Sequence, residues 1–271
     1  MPGKVLSTTQ IEVAIPKYTK PDILPVDVSM NGRDFTNDHV TYGYYDAFVL
    51  DVQPRLISKR GGTKMTVKGF GFVNSGGSEI AAKFGSQTSG ELICNANTPC
   101  TVPAKFVDKN TITTESLPQN TVNYQDRANI GEDPMTVEVS VYGSSFTEND
   151  LEVYYIYSPE YRKVNRSSVP RNMQIPLLIE TEFFWQNNDK EMFAKHANFT
   201  CRFTLGDTQV VTLGRMETIP LGSSYAKNGE TAPLPDHVVC PSAKFPNSGQ
   251  GKLEISANGV DYEGSGFQFE F

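Results

Sequence analysis

The sequence predicts an all-β chain of tandem antiparallel β-sandwiches, and three observations point there. A hairpin-like string occurs three times at nearly constant spacing. The 271 residues include Gly 22, Pro 17, Tyr 12 and Phe 16, a composition suited to many short strands and tight turns. No long stretch carries apolar residues at helical spacing. Single domains cluster near ~100–150 residues, so the length accommodates two.

The recurring strings are VDVSMNGRDFT from Val26, VEVSVYGSSFT from Val137 and LEISANGVDYE from Leu253. Each reads apolar, acidic, apolar, Ser, then a turn glycine and an aromatic three residues later. The glycines Gly32, Gly143 and Gly259 lie 111 and 116 residues apart. Val26 and Val28, Val137 and Val139, and Leu253 and Ile255 alternate with polar residues, as in a strand with one face on a core. Asn31-Gly32 and Asn258-Gly259 predict two-residue type I′ turns, in which both central residues take positive φ. Phe35, Phe146 and Tyr262 then start return strands reading VTYGYY, LEVYYIY and FQFEF, which again read as alternating.

The repeat extends in both directions. Short strands ending near a proline are expected from Gln10 to Pro16, Thr111 to Pro118 and His237 to Pro246, because proline cannot donate to a ladder. Asp51-Val52-Gln53-Pro54 opens one unit and Tyr157-Ser158-Pro159 the next. Met65 and Val67, after Gly61-Gly62-Thr63, match Leu177 and Ile179. The predicted layout is the closing half of a repeat in residues 1–46 and whole repeats in 47–156 and 157–271. Residues 1–46 then present apolar positions (Ile11, Val13, Ile15, Val26, Val28, Val40, Tyr42, Tyr44) that need a partner sheet. The missing strands are expected upstream in a longer array, with completion by a second chain as the alternative.

The string from Pro54 to Phe72, PRLISKRGGTKMTVKGFGF, resembles the opening of an IPT/TIG domain, and V-S-x-N-G-x-D-[FY] is similar to the close of one. The resemblance covers nearly the whole chain, most fully in 47–156 and only partially in 1–46. It implies immunoglobulin-like sandwiches of the early-set kind. Members include surface receptors, protist adhesion proteins, cytoskeletal and ciliary proteins and some DNA-binding factors, so the resemblance specifies fold more closely than role.

Aligning the two whole repeats sets Cys201 opposite Ala82 and Cys240 opposite Thr114. One repeat has both cysteines and the other neither, which predicts a Cys201–Cys240 disulfide. The strings C-R-F and C-P-S also resemble the paired cysteines of extracellular members. Cys94 and Cys100, in ICNANTPC, read either as a disulfide closing a small ring or as two free thiols. The sequons Asn165-Arg-Ser and Asn198-Phe-Thr are candidate glycosylation sites. Alternation puts Asn198, Thr200 and Arg202 on the water face, opposite Phe199, Cys201 and Phe203. Together these features favour an extracellular or cell-surface location, with cytoplasm or cilium as the alternative.

No catalytic constellation, cofactor motif or metal motif is found. His39, His196 and His237 are scattered, and neither a phosphate loop nor a nucleophile elbow occurs. The acidic groups at Asp34, Asn37 and Asp38, at Glu148, Asn149 and Asp150, and at Asp27 and Asp46 read as solvated hairpin ends rather than calcium ligands. A net charge of −7 argues against nucleic acid. Lys59, Arg60, Lys64 and Lys68 flank a Gly-Gly turn and read as a solvated hairpin end. Trp185, the only tryptophan, suits core or edge packing better than carbohydrate binding. No apolar run is long enough to span a bilayer. The tyrosines Tyr42, Tyr44, Tyr45, Tyr154, Tyr155 and Tyr157 stand at repeat ends, where half should face their own core and half the next repeat. The expected role is a non-enzymatic structural or adhesive repeat segment of a larger surface or scaffold protein. Its expected partners are other proteins and adjacent repeats of the same or another chain. A cytoskeletal or ciliary scaffold is the alternative, and DNA- or carbohydrate-binding modules rank below it.

Overall fold

The computed structural model describes residues 1–17, 22–44, 46–74, 80–86, 100–118, 135–141, 145–182, 189–217, 237–262 and 266–271. The readings on Tyr45, Cys94, Gly143 and 183–185 lie outside these residues.

Two small ribbons come first. Strands β1 (Lys4–Ser7) and β2 (Gln10–Glu12) pair antiparallel, as do β3 (Asp22–Pro25) and β4 (Thr41–Tyr44). The second ladder continues past its named strands, since Val26 N donates to Val40 O and Thr36 N to Val28 O. No described residue of 1–44 is buried.

The first sandwich comprises β5 (Phe48–Gln53), β6 (Leu56–Ser58), β7 (Lys64–Phe70), β8 (Ala81–Ser86), β9 (Thr101–Asp108), β10 (Thr111–Glu115), β11 (Met135–Ser140) and β12 (Leu151–Ile156). Their hydrogen-bonded order is β5-β7-β10-β9-β8-β11-β12-β6. Strand β9 turns the corner, pairing with β8 through Thr101–Pro103 and with β10 through Ala104–Asp108. The sheet thereby closes over one core, where Val67 and Ile112 of one face meet Phe84 and Val137 of the other.

The second sandwich comprises β13 (Glu160–Val164), β14 (Pro176–Glu182), the helix α1 (Asp189–His196), β15 (Thr200–Leu205), β16 (Thr208–Leu213), β17 (Arg215–Glu217), β18 (His237–Pro241), β19 (Gln250–Ser256) and β20 (Phe267–Glu270). Sheets β13-β14-β18-β17 and β16-β15-β19-β20 face each other across Leu177, Ile179, Phe203, Leu253 and Phe269. The corner that β9 turns unbroken is split here between β16 and β17 at Gly214. A Cβ there would lie 2.9 Å from the sulfur of Cys201 and 3.3 Å from Val239 O, so only glycine fits.

The registers make the two sandwiches equivalent strand by strand. Phe84 pairs with Val137 as Phe203 pairs with Leu253. Met65 pairs with Thr114 as Leu177 pairs with Cys240. Ala82 and Thr114 therefore occupy the places of Cys201 and Cys240, which are disulfide-bonded with Cα atoms 5.9 Å apart. That bond ties β15 to β18, and so one sheet to the other.

Two local expectations need correction. Neither Asn31 nor Asn258 has positive φ; only Gly32 (73°) and Gly259 (81°) do. The turns are held instead by the asparagine side chains, whose carboxamides bond the backbone ahead of them. Thr200 is buried rather than on the water face, because its hydroxyl shares a 2.9 Å hydrogen bond with the Tyr262 hydroxyl. The short helix α1 carries no periodic signal in the sequence. Its eight residues, DKEMFAKH, are too few to show an apolar stripe, and Phe193 anchors it against Phe199 at 5.8 Å between ring centroids.

Candidate functional site

Among the described residues, a set of long-range polar contacts joins the two sandwiches. It starts where the expected alternation fails: Leu56-Ile57 and Tyr154-Tyr155-Ile156 show no apolar–polar alternation. The reason is that β6 and β12 pair in parallel, Tyr154 with Leu56 and Tyr155 with Ile57, and are covered on both faces. Ile57 and Tyr155 enter the first core, while Leu56 and Ile156 enter the second. Leu56 is fully buried in the core of a sandwich to which its own strand does not belong. Burying a leucine is worth about 1.5–3 kcal/mol, so this one residue makes a real contribution to docking.

A polar lock lies beside it. The Asn258 carboxamide donates to Leu56 O at 3.0 Å and to Asp261 Oδ2 at 2.8 Å. The Thr63 hydroxyl donates to the same Asp261 oxygen at 2.6 Å and accepts from Ser58 N at 2.9 Å. Thr63 is fully buried, and its backbone is fixed to Ser116, whose hydroxyl accepts from Thr63 N at 3.1 Å. The Gly61-Gly62-Thr63 corner, both glycines having positive φ, thus presents one hydroxyl to the neighbouring sandwich. Beyond the turn, Tyr262 is clamped under the Arg202 guanidinium, 3.8 Å from its ring centroid, and Arg202 also pairs with Glu254.

On another side of the junction, the ring of Tyr154 stacks on His196 of α1, with centroids 5.2 Å apart and planes at 23°. Burial raises the Tyr154 phenol to about 12, helped by its 2.8 Å hydrogen bond to Glu152. Burial also lowers His196, reinforced by the positive charges of Lys195 and Arg55. Lys59 Nζ sits 3.6 Å from the Tyr157 ring centroid. The tyrosine cluster divides here: Tyr155 lies in its own core, bonded to Leu117 O, while Tyr154 packs against the next sandwich.

The remaining sites predicted from sequence lie apart from the lock or at its rim. Asn165 is exposed; its N–H donates to Leu178 O and its Oδ1 accepts from Leu178 N, each at 3.0 Å. Asn198 is exposed, and its amide nitrogen lies against the Gly259 turn, where a Cβ on Gly259 would approach it to 2.6 Å. Cys100 is buried and disulfide-bonded. Glu138 is tied up structurally, accepting from the Thr147 hydroxyl and from Asn149 N and Asp150 N. Among the described residues, no three His, Cys, Asp or Glu side chains are grouped to hold a metal, and no helix is long and apolar enough to cross a membrane.

No family model and no curated protein sequence matches this chain. Among solved structures, the chain is similar to the full extracellular region of plexin A4, with 14% identity and a TM-score of 0.43, over 85% of this chain and 16% of that one. It is also similar to invasin, a bacterial integrin-binding protein (11%, 0.25, 83% of this chain and 39% of that one). A third similarity is to FdeC, an Escherichia coli adhesin (10%, 0.28, 92% and 74%). The chain spans less than a fifth of the plexin A4 region.

Proposed function

We propose that this chain is a non-catalytic, structural or adhesive segment of a larger surface protein, built as an array of immunoglobulin-like modules over 1–46, 47–156 and 157–271. Its sandwich faces bind partner proteins. The observation that carries this reading is the junction: Leu56 fills the neighbouring core while Asn258 and Asp261 hold Leu56 O and Thr63. Such a contact fixes the angle between modules, which is what a spacer or adhesive rod requires and a flexible linker would not supply. The inter-sheet disulfide favours an oxidising compartment. Asn165 and Asn198 are the glycan sites in this reading; the Asn198 Nδ2 that would carry the sugar lies beside the Gly259 turn.

The test uses protein from native material. Non-reducing digestion should give one mass for the peptides holding Cys201 and Cys240, with glycan on at least one of the two asparagines. Free thiols at both cysteines and bare asparagines would reject the surface reading and leave the cytoplasmic scaffold.

A further inference from the structure

The docked turn has an undocked twin. Residues Ser256–Asp261 and Ser29–Asp34 share the pattern S-x-N-G-x-D and build the same structure. In each, the asparagine Oδ1 accepts from the serine hydroxyl, at 3.0 Å for Asn258 and 3.1 Å for Asn31. It also accepts from the backbone N–H groups two and three residues on, at 3.0 and 2.8 Å for Asn258 and at 2.9 Å for both in Asn31. In each, Nδ2 donates to the aspartate, at 2.8 and 2.7 Å.

What differs is occupancy. Asn258 is 4% exposed, and its turn is filled by Leu56 O and the Thr63 hydroxyl. Residues 31–34 are all exposed, and Asn31 and Asp34 make no hydrogen bond outside their own turn among the described residues. The middle string has Tyr142 and Ser145 where the other two have Asn and Asp, so the pattern belongs to two hairpins of the three.

We infer that the Ser29–Asp34 turn is a docking site for the end of another sandwich module, one presenting a main-chain carbonyl and a threonine hydroxyl as Leu56 and Thr63 do. This rests on the tandem-module reading above. The turn offers one amide N–H and one carboxylate oxygen. Its partner must supply an acceptor for the first and a donor for the second, because burying either group unpaired opposes docking. The Leu56–Thr63 corner of this chain is already filled by its own Asn258 and Asp261, so the occupant is a different module end. Met30, 79% exposed, stands where Ala257 is buried, so docking also covers an apolar side chain. Arg33 stands where Val260 remains 38% exposed, so its charge stays in water.

The test places this turn where a receiving corner exists. In the full chain, Ala257→Met with Val260→Arg converts 256–261 into the sequence of 29–34. The two sandwiches should still tumble as one body by amide relaxation. Asn258→Ala in that background should speed exchange of the Ser58 amide about tenfold. A parallel graft of the middle sequence, SVYGSS, should release the sandwiches from each other. Independent tumbling of the Met/Arg graft, or no effect of Asn258→Ala within it, would overturn the inference. If methionine at 257 disturbs the core, Val260→Arg alone yields N-G-R-D and is judged by the same two readouts. Independent tumbling of the unmodified chain would sink the tandem reading itself, a result separate from either graft.

Discussion

Thr63 and Asp261, 198 residues apart in sequence, share a 2.6 Å hydrogen bond that ties the two sandwiches together. The bond works because each partner is fixed before they meet. Thr63 is held by Ser58 and Ser116 at a Gly-Gly corner. Asp261 is held by Asn258 through both its backbone N–H and its carboxylate. Little side-chain entropy remains to be lost when the hydroxyl and carboxylate come together.

Thr63→Val should therefore cost about 1–3 kcal/mol, since it leaves the buried Ser58 N–H and the Asp261 carboxylate each short of a partner. A double-mutant cycle with Asp261→Ala, read by urea denaturation, should return a coupling of roughly 0.5–3 kcal/mol. Strictly additive effects would mean that the contact contributes nothing to docking.

The disulfide gives a second expectation. Cys201 and Cys240 are 39 residues apart. Loop-closure entropy for a ring of that size is about 4 kcal/mol, an upper figure when reduced chains retain structure. Cys201→Ala with Cys240→Ala should lower the melting temperature of the second sandwich. The first should be unaffected, because Ala82 and Thr114 already occupy its equivalent positions. Calorimetry resolving the two transitions would check this; equal losses in both would contradict it.

Much of the fold is legible in the sequence because apolar alternation and turn residues are local. The three hairpin strings, the equivalence of Met65 and Val67 with Leu177 and Ile179, and the Ala82/Thr114 match all follow from periodicity. The junction is not legible in that way. The Asn258–Leu56 bond spans 202 residues, and no local rule anticipates it. The Asn-Gly rule for hairpins considers backbone φ alone, so it assigned Asn258 to a two-residue turn and passed over its side chain. A signal was present all the same. Asp34 and Asp261 follow their glycines by two residues, whereas Ser145 stands at that position in the middle copy. The unalternated Tyr-Tyr-Ile of 154–156 likewise marked strands buried on both faces.

His196 makes the junction sensitive to acid. Its pKa lies below the ordinary 6.5 because burial against Tyr154 and the charges of Lys195 and Arg55 outweigh the pull of Glu152. Just below pH 6.5 the unfolded chain takes up a proton that the folded chain refuses, so stability falls as pH drops through that window and is fully present above it. Glu254 acts in a lower window: burial raises its carboxyl, but Lys252 and Arg202 hold it below its ordinary 4.5. His196→Phe should flatten the stability profile just below pH 6.5 while leaving the loss below 4.5 in place. An unchanged slope in the upper window would show that His196 is not its source.

The twin glycines separate strain from contact. Gly32→Ala and Gly259→Ala both force alanine into the left-handed region, at roughly 1–2 kcal/mol each. A Cβ at Gly32 meets nothing within 4 Å, whereas one at Gly259 lies 2.6 Å from Asn198 Nδ2. Gly259→Ala should lower the stability of the second sandwich by more than strain alone, with the excess removed by Asn198→Ala. Gly32→Ala should leave both sandwich transitions where they are. Equal effects from the two substitutions would place the cost in the backbone only.

The first segment should behave differently from the rest. Its two ribbons bury no described residue, and Ile11, Ile23, Val28, Phe35, Val40 and Tyr42 are all exposed. Two-stranded ribbons with uncovered apolar faces are marginal in water, so amides of β1 to β4 should exchange close to the rate of an unstructured chain. Amides of β7 and β14, flanked by paired strands on both sides, should be protected by the stability of their own sandwiches. Hydrogen exchange followed at two protein concentrations distinguishes the accounts of the half repeat. Fast exchange at both concentrations fits a closing half that waits for its opening strands. Protection that disappears on dilution would mean that a second chain completes it. Protection independent of concentration in a monomer would contradict both, and would require 1–44 to pack against the sandwiches that follow.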